Sequence, residues 1–295
     1  MPDDAELPFA PHQMRLVRAI LSRGGVAAGA AFLGISQPSA SQQLRRIEDA
    51  LGRRLFERAS GGLKPNRNAE AYLVYAEAMR RVGEDARRFF AGAPAATLRL
   101  GVNEDFARSV LPEVLSLFSR DFPDFAYEVV SGLSTPLFAR LDAGRLDVVV
   151  GKRPEGRSTG ERVRREVFAW YGGADVDPPA AGPVRLAVFP EPSETRAVIL
   201  DALRRAGREA RVVFEASSLT AVEAAVRAGL GISAFSAISD TAGLRRLADA
   251  PDGIALPALG QVDLVIEWRP RPEGATAFAA AVREVLAAME RVGAV

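Results

Sequence analysis

Side chains that can hydrogen-bond to nucleic acid gather on one face of a predicted helix over residues 36–51. That face carries Gln42 and Arg45, with Asp49 as its carboxylate. Amide and guanidinium groups bind base edges in the major groove and phosphate oxygens. We therefore predict that Gln42 and Arg45 read bases. A solvated face of an ordinary bundle helix explains the pattern as well, so this helix alone leaves both interpretations open.

The opposite face of the same segment is apolar and would hold the helix against a core. Its apolar residues recur at the helical period. They are Ala40, Leu44, Ile47 and Leu51. Ser36 is a suitable N-cap, and Pro38 falls in the first turn, where backbone N–H groups lack intrahelical partners.

The neighbouring segments complete a winged helix-turn-helix plan. Residues 13–22 and 26–33 are predicted as two shorter helices, each followed by glycine, which places the helix over 36–51 for the major groove. Residues 51–58 and 60–65 predict a two-stranded wing with a glycine turn.

The predicted wing supplies basic and hydroxyl side chains to the DNA backbone. We expect Arg54 and Arg58 to contact phosphate, and Ser60 and Lys64 to lie along the backbone.

A long block between Gly34 and Arg58 carries a family pattern. It consists of Gly34-Ile35-Ser36-Gln37-Pro38-Ser39-Ala40-Ser41, Leu44-Arg45-Arg46-Ile47-Glu48 and Leu51-Gly52-Arg53-Arg54-Leu55-Phe56-Glu57-Arg58. This block resembles the LysR-type transcriptional regulators. The resemblance implies double-stranded promoter or operator DNA as a partner, and Gln37, Pro38 and Ser39 as further DNA contacts near the helix start.

Charge is distributed as expected for a DNA-binding module joined to a separate sensing part. The net charge is +1, but residues 12–67 hold ten basic and three acidic residues, whereas residues 91–295 hold 24 basic and 27 acidic ones. The length of 295 residues predicts about two domains. We place a DNA-binding domain at 7–66, a linker helix at 67–91 and an effector-binding domain at 92–295.

The predicted linker helix over 67–90 carries an apolar stripe. It consists of Ala69, Tyr72, Leu73, Ala76, Met79, Gly83 and Ala86. Since no partner within the preceding module is large enough to cover this stripe, we expect a second copy of the helix to cover it and make a homodimer. The resemblance likewise implies a dimerising linker, and pairing of dimers into a homotetramer. Residues 91–96 are predicted as a hinge of small residues.

The remainder alternates strands and helices in two similar β-α-β-α-β runs, which predicts parallel sheets covered by helices in two lobes. We place lobe I at about 97–166 and 267–295, and lobe II at about 167–266. The pattern resembles the periplasmic-binding-protein-like sensing domain that accompanies LysR-type DNA modules. The predicted fold class is α/β, with an N-terminal winged helix-turn-helix, a long linker helix and this two-lobed sensing domain.

Polar residues follow the predicted strands or begin the next helices, where ligands bind in open α/β sheets. The candidate effector contacts are Asn103, Ser134, Ser193, Arg196 and Ser217. Each could instead act only as a helix cap. Lys152 and Arg196 favour an anionic effector, whereas Glu104, Asp105 and Glu191 oppose it, and an occluded cleft is a further alternative.

The residue inventory opposes catalysis. Cysteine is absent and His12, the one histidine, precedes the α/β segments. No phosphate loop, dinucleotide motif or metal-ligand cluster is present, so we predict no enzyme, no cofactor and no metal. No apolar run approaches ~20 residues, and the N-terminus is acidic, so we expect a cytoplasmic protein. The alternatives are a constitutive DNA-binding repressor or architectural protein and, less favoured, a solute-binding or catalytic protein.

Overall fold

The computed structural model describes residues 7–59, 62–91, 97–176, 182–239, 241–247, 256–269 and 274–292. The chain forms two compact units. The first comprises residues 1–93 with 142–145, and the second comprises residues 94–141 with 146–295.

The N-terminal unit begins with three helices in the predicted order. They are α1 (Pro11–Arg23), α2 (Val26–Leu33) and α3 (Gln37–Leu51). Each is followed by a glycine in the left-handed conformation, which a residue with a Cβ adopts only at a cost. The hydroxyl of Ser36 accepts a hydrogen bond from the backbone N–H of Ser39 at 3.3 Å, so the predicted N-cap is confirmed.

Close packing of α1 on α2 explains one glycine in the short helix. A Cβ on Gly29 would lie 2.9 Å from the backbone nitrogen of Ile20. The apolar stripe of α3 packs into the same core, with Ala40, Leu44 and Ile47 buried. The stripe predicted for this helix is therefore confirmed for these three residues.

A two-stranded wing and a long helix complete the unit. Strands β1 (Phe56–Ala59) and β2 (Gly62–Pro65) pair antiparallel, and α4 spans Arg67–Phe90 as predicted. The turn residue Ser60, expected along the DNA backbone, lies outside the described residues, as does the predicted hinge after residue 91.

The first half of the apolar stripe on α4 is covered by its own unit, so the expectation that only a second copy could cover it is wrong there. Ala69, Tyr72 and Ala76 are buried in the core with α1. The ring of Tyr72 stacks on Phe9 with ring centroids 4.8 Å apart, and its hydroxyl donates to the carbonyl of Pro8 at 2.6 Å. Burial raises the pKa of Tyr72 to about 12. The N-terminal arm supplied a cover that the helical period could not reveal.

A second apolar face of α4, which shares Met79 and Ala86 with the predicted stripe, is exposed. It consists of Tyr75, Met79, Val82 and Ala86, here called the outer stripe. The exposed fractions of Tyr75, Met79 and Val82 are 63%, 43% and 64%. Their spacing of four and three residues aligns them along one side of the helix.

The second unit opens with lobe I. Its elements are β3 (Thr97–Asn103), α5 (Glu104–Ser109), α6 (Leu111–Asp121), β4 (Ala126–Gly132), α7 (Ser134–Asp142) and β5 (Val148–Lys152). The sequence pattern predicts one helix over 107–122, but the structure has two, because the chain breaks at Val110. Pro112 is the second residue of α6, and in a continuous helix its ring would clash with the carbonyl of Arg108.

Lobe II and the closing segments follow. Their elements are β6 (Glu161–Gly172), β7 (Val184–Val188), α8 (Glu194–Arg205), β8 (Ala210–Glu215), α9 (Leu219–Arg227), β9 (Ser233–Ser236), β10 (Arg245–Arg246), β11 (Gln261–Trp268) and α10 (Gly274–Val292). The sequence pattern predicts a connection between the two runs that contains residues 167–171, but these residues form part of the long strand β6.

The sheets are mixed rather than purely parallel. Strand β3 pairs parallel with β4 and β5, and β7 pairs parallel with β8, as expected. Strand β11, however, runs antiparallel to both β5 and β6, and β9 runs antiparallel to β6. Strands β6 and β11 thus join the lobes, because they pair with each other, and β11 also pairs with β5 whereas β6 also pairs with β9.

Helices cover both faces of each lobe. In lobe I the alternate strand residues Val148 and Val150 face α6 and α10, whereas Val149 faces α7. In lobe II, Leu186 faces α8 and Ala187 faces α9. The described helices include none long and apolar enough to cross a membrane.

Candidate functional site

The outer face of α3 presents the polar side chains that the sequence singled out. Gln37, Pro38, Gln42 and Arg45 are exposed, and Ser39 is partly exposed. The hydroxyl of Ser39 lies 3.3 Å from the amide nitrogen of Gln43. Because the apolar side of α3 is buried, these groups share a single solvent-facing surface.

A buried carboxylate ties α3 to the start of the wing. Glu48 is 5% exposed, and one of its oxygens accepts hydrogen bonds from the backbone N–H groups of Leu55 and Phe56, at 2.8 and 3.4 Å. Its other oxygen accepts from the guanidinium of Arg54 at 2.7 Å. Glu48 thereby raises the pKa of Arg54 above its usual value. The Arg54 side chain is 66% exposed, so it can bind a phosphate while it is held by Glu48.

The wing places Lys64 on the surface. Lys64 is exposed and lies opposite Glu57 in the register of the β1–β2 pair. Arg58 lies in β1, one position along from Glu57. The predicted DNA-contact residues of α3, Arg54 before the wing and Lys64 in the wing therefore all belong to one compact unit.

A small cavity lies between the lobes of the second unit. Its volume is about 20 Å³, room for roughly one water molecule. It is lined by Asn103, Glu104, Asp105, Gly132, Leu133, Ser134, Lys152, Phe189, Ser193, Glu194 and Thr195. The lining combines the ends of β3, β4 and β5 with the start of α8, as expected for a site beyond the carboxyl ends of strands.

A buried ion pair forms part of the lining of this cavity. The ammonium of Lys152 donates to a carboxylate oxygen of Asp105 and, at 3.0 Å, to the hydroxyl of Thr195. Lys152 and Asp105 are each 5% exposed. Burial lowers the pKa of Lys152, but Asp105 and Glu166 raise it more, so the pKa lies above its usual value. Burial likewise opposes ionisation of Asp105, yet Lys152 and Ser239 hold its pKa below the usual range.

Other polar contacts cross from lobe I to lobe II. The hydroxyl of Thr135 donates to Glu194 at 2.8 Å. The backbone N–H of Leu219, the first residue of α9, donates to the carboxylate of Glu104. One guanidinium nitrogen of Arg108 lies 2.6 and 2.7 Å from the two oxygens of Glu223. The lobes are thus held together around the cavity.

Three of the five predicted effector contacts line this cavity. They are Asn103, Ser134 and Ser193. The hydroxyl of Ser134 accepts from the backbone N–H of Lys152 at 2.9 Å, and that of Ser193 accepts from Arg196 at 3.3 Å. The hydroxyls therefore also hold the backbone in place.

The other two predicted contacts lie outside the lining. The guanidinium of Arg196 donates to the carbonyl of Phe189 at 3.1 Å and to the carboxylate of Glu215. Ser217 is exposed after β8. The sequence placed both residues at the ends of elements, but it could not show which way the side chains turn.

Several residues that organise these sites were not predicted from the sequence. No role was predicted for Glu48, although its position directly after Ile47, at the border of the apolar stripe, was an available signal for burial. Nothing in the local pattern around Glu194 and Thr195 indicated contact with the other lobe.

Comparison with protein-family models matches almost the whole chain. Residues 11–70 match the model described as bacterial regulatory helix-turn-helix protein, lysR family. Residues 91–288 match the model described as LysR substrate binding domain.

Individual relatives agree with these matches. The chain is 32% identical over 260 residues to the transcriptional regulator DgdR of Burkholderia cepacia, and the match covers 87% of each protein. Among solved structures, full-length LysG of Corynebacterium glutamicum with its effector arginine bound is 16% identical, with a TM-score of 0.60, and the match covers 95% of this chain and 98% of that one. CbnR in complex with its target DNA is 20% identical, with a TM-score of 0.56, and the match covers 93% and 99%.

Proposed function

Because the chain belongs to the LysR family of bacterial DNA-binding transcriptional regulators, we propose that it reads operator DNA through the exposed face of α3 and holds the backbone with the wing. The observation that carries this proposal is the separation of faces on α3, whose apolar side is buried while Gln42 and Arg45 are exposed. Gln37, Pro38 and Ser39 contact the groove near the helix start, and Arg54, Arg58 and Lys64 contact phosphates. The protein acts on promoter DNA in the cytoplasm and is not an enzyme.

Salt dependence tests the DNA-binding proposal. Duplexes selected from a random pool by the full-length protein serve as probes, and their affinity is measured by fluorescence anisotropy from low to high salt. Each neutralised phosphate releases counterions, so the logarithm of affinity should fall steeply and linearly with the logarithm of salt concentration. Selected sequences should show partly palindromic half-sites about one helical turn or a multiple apart. A flat salt response would contradict the proposal.

The outer stripe of α4 supports self-association. Two copies related by a two-fold axis would bury Tyr75, Met79 and Val82 against each other. We assign the homodimer to this stripe, and the homotetramer to further pairing through the sensing domains.

The cleft supports a small-molecule effector. An effector that binds there changes DNA binding only if it favours one arrangement of the lobes over another. The contacts that now join the lobes across the cavity are the elements that such a ligand would disturb or reinforce.

A constitutive regulator is the second candidate, and one observation favours it. The cavity has room for about one water molecule, and the Lys152–Asp105 pair lies within its lining. A thermal-shift screen of metabolites on the full-length protein separates the two candidates, because a ligand that binds the folded state raises Tm. If no metabolite raises Tm or alters DNA affinity, the constitutive regulator is the better account.

A further inference from the structure

One acceptor in the cleft lacks a hydrogen-bond donor. Asn103 is 4% exposed and lines the cavity. Its amide nitrogen lies 3.4 Å from a carboxylate oxygen of Asp105, whereas its amide oxygen has no partner among the described residues. Because the Asp105 carboxylate can only accept, the amide must keep its nitrogen on that side. A buried acceptor without a donor costs free energy, so this oxygen favours a ligand that donates.

Carboxylates outnumber cations around the same cavity. Glu104, Asp105 and Glu194 line it, and Lys152 is the one cation in that lining. The Lys152 ammonium is already bound by Asp105 and Thr195, and it lies 5.3 Å from the ring centroid of Phe168. A ligand carboxylate would therefore have to compete with Asp105 for Lys152 while facing two further carboxylates.

Two backbone N–H groups at helix starts, of the kind that usually attract anions, are also occupied. The carboxylate of Glu104 caps α9 at Leu219, and the hydroxyl of Ser193 caps α8 at Arg196. The guanidinium of Arg196, which is not a lining residue, is already paired with the carbonyl of Phe189 and the carboxylate of Glu215. The protein's own oxygens thus fill positions that an anionic ligand would use.

Glu194 is the carboxylate best suited to receive a ligand cation. The hydroxyl of Thr135 donates to the Glu194 carboxylate, and no cation lies within hydrogen-bond distance of that carboxylate among the described residues. Burial raises the pKa of Glu194 above its usual value. A cation in contact with the carboxylate would lower this pKa again, because it stabilises the charged form.

We propose that the cleft selects a small effector carrying a positively charged nitrogen, an ammonium or guanidinium group, which donates to the amide oxygen of Asn103 and the carboxylate of Glu194. This inference rests on the proposed function, in which an effector binds between the lobes. An ammonium group has about the size of a water molecule, so the closed cavity of about 20 Å³ accepts the charged group. The rest of the molecule requires the lobes to separate.

Matched probes test the proposal on the full-length protein. The cationic probes are 1,4-diaminobutane, agmatine and benzylamine, and the anionic probes are succinate and benzoate, all at one pH and ionic strength. Differential scanning fluorimetry measures Tm across a concentration series. We expect the cationic probes to raise Tm in a saturable manner and the anionic probes to leave it unchanged.

Two variants test whether the rise in Tm comes from binding in the cleft. Glu194→Gln keeps an acceptor for Thr135 but removes the charge, and it should weaken binding of the cationic probes at least tenfold. Glu209→Gln is the matched control, because Glu209 is exposed on the same lobe outside the cavity. If Glu194→Gln fails to fold by circular dichroism, Asn103→Leu, which removes the orphaned acceptor, should produce the same loss.

The outcomes separate this inference from the proposed function. Stabilisation by the anionic probes would overturn the selection of a cation. So would a failure of the cationic probes to raise Tm, or a rise in Tm that is the same in the Glu194 and Asn103 variants as in the wild type. An anionic probe that changes DNA affinity would overturn it while leaving an effector-responsive regulator in place. Failure of salt-dependent DNA binding would instead overturn the proposed function, whichever probes bind.

Discussion

At the scale of single residues, Glu48 links the reading helix to the wing. It accepts hydrogen bonds from Leu55, Phe56 and Arg54, and it is 5% exposed. Glu48→Gln keeps the shape but replaces an acceptor-only group with one that also carries an amide NH₂. We expect the free energy of unfolding to fall by about 1–3 kcal/mol, as measured by urea denaturation. Asp49→Asn, next to it on the exposed side of α3, is the control and should have little effect on stability.

The same scale separates base reading from phosphate binding. Gln42→Ala or Arg45→Ala should relax base preference, with a loss of about 1–3 kcal/mol on the preferred operator alone. Lys64→Ala should weaken all sequences alike and make the salt slope shallower by about one. Affinities for the selected duplex and for a scrambled duplex measure the difference. A uniform loss in all three variants would show that the exposed face of α3 does not read bases.

At the scale of elements, the outer stripe of α4 should hold the dimer. Val82 is 64% exposed, and a second helix would remove much of that apolar surface from water. Val82→Glu combined with Met79→Glu should shift the protein toward monomer, since burial of such side chains is worth roughly 1.5–3 kcal/mol each. Sedimentation velocity at micromolar concentration measures the shift. Arg87→Ala, exposed but off the stripe, should leave the dimer intact.

Acid should loosen the contact between α1 and α4. The guanidinium of Arg80, followed by that of Arg18 on α1, lowers the pKa of Glu77 to about 2. A carboxyl group whose pKa is lowered by folding stabilises the fold above its ordinary pKa of 4.5 and loses that contribution as the pH falls toward 2.

The measurement is the near-ultraviolet circular dichroism of the packed tyrosines between pH 5 and pH 2. The near-ultraviolet signal of the wild type should fall as the pH is lowered from 5 to 2. The signal of Glu77→Gln should already be smaller at pH 5 and should change less over this range. Glu70→Gln, exposed in the first turn of α4, should behave as the wild type. Identical profiles for Glu77→Gln and the wild type would contradict this role for Glu77.

At the scale of the whole molecule, the contacts between the lobes should govern opening of the sensing unit. Glu104 accepts from the first N–H of α9, and Arg108 pairs with Glu223 on the same helix. Glu104→Gln removes the charge from the first contact, so we expect faster hydrogen exchange at the start of α9. Hydrogen–deuterium exchange with mass spectrometry of the full-length protein measures it. Arg120→Ala, at the end of α6, is the control, and unchanged exchange in Glu104→Gln would mean that this contact does not hold the lobes closed.

Elements whose formation depends on near neighbours could be predicted from the order of the amino acids. Helices α2 and α4, the cap at Ser36, the buried stripe of α3 and the alternation of strands and helices follow from periods and caps that span a few residues. The break before α6 also has a local cause in Pro112, although it was not predicted. The family resemblance in residues 34–58 came from the same local pattern.

The contacts between side chains that are far apart in the sequence depend on how the elements pack, and they could not be predicted. The pairing of Lys152 with Asp105, the cover that Phe9 gives to Tyr72 and the turning of Arg196 toward Glu215 each join separate elements. A periodic pattern indicates that a face is buried, but it does not identify the partner or the direction of a long polar side chain. Those choices depend on how the elements pack together, because burial of a charge is tolerated only where packing brings a partner to it.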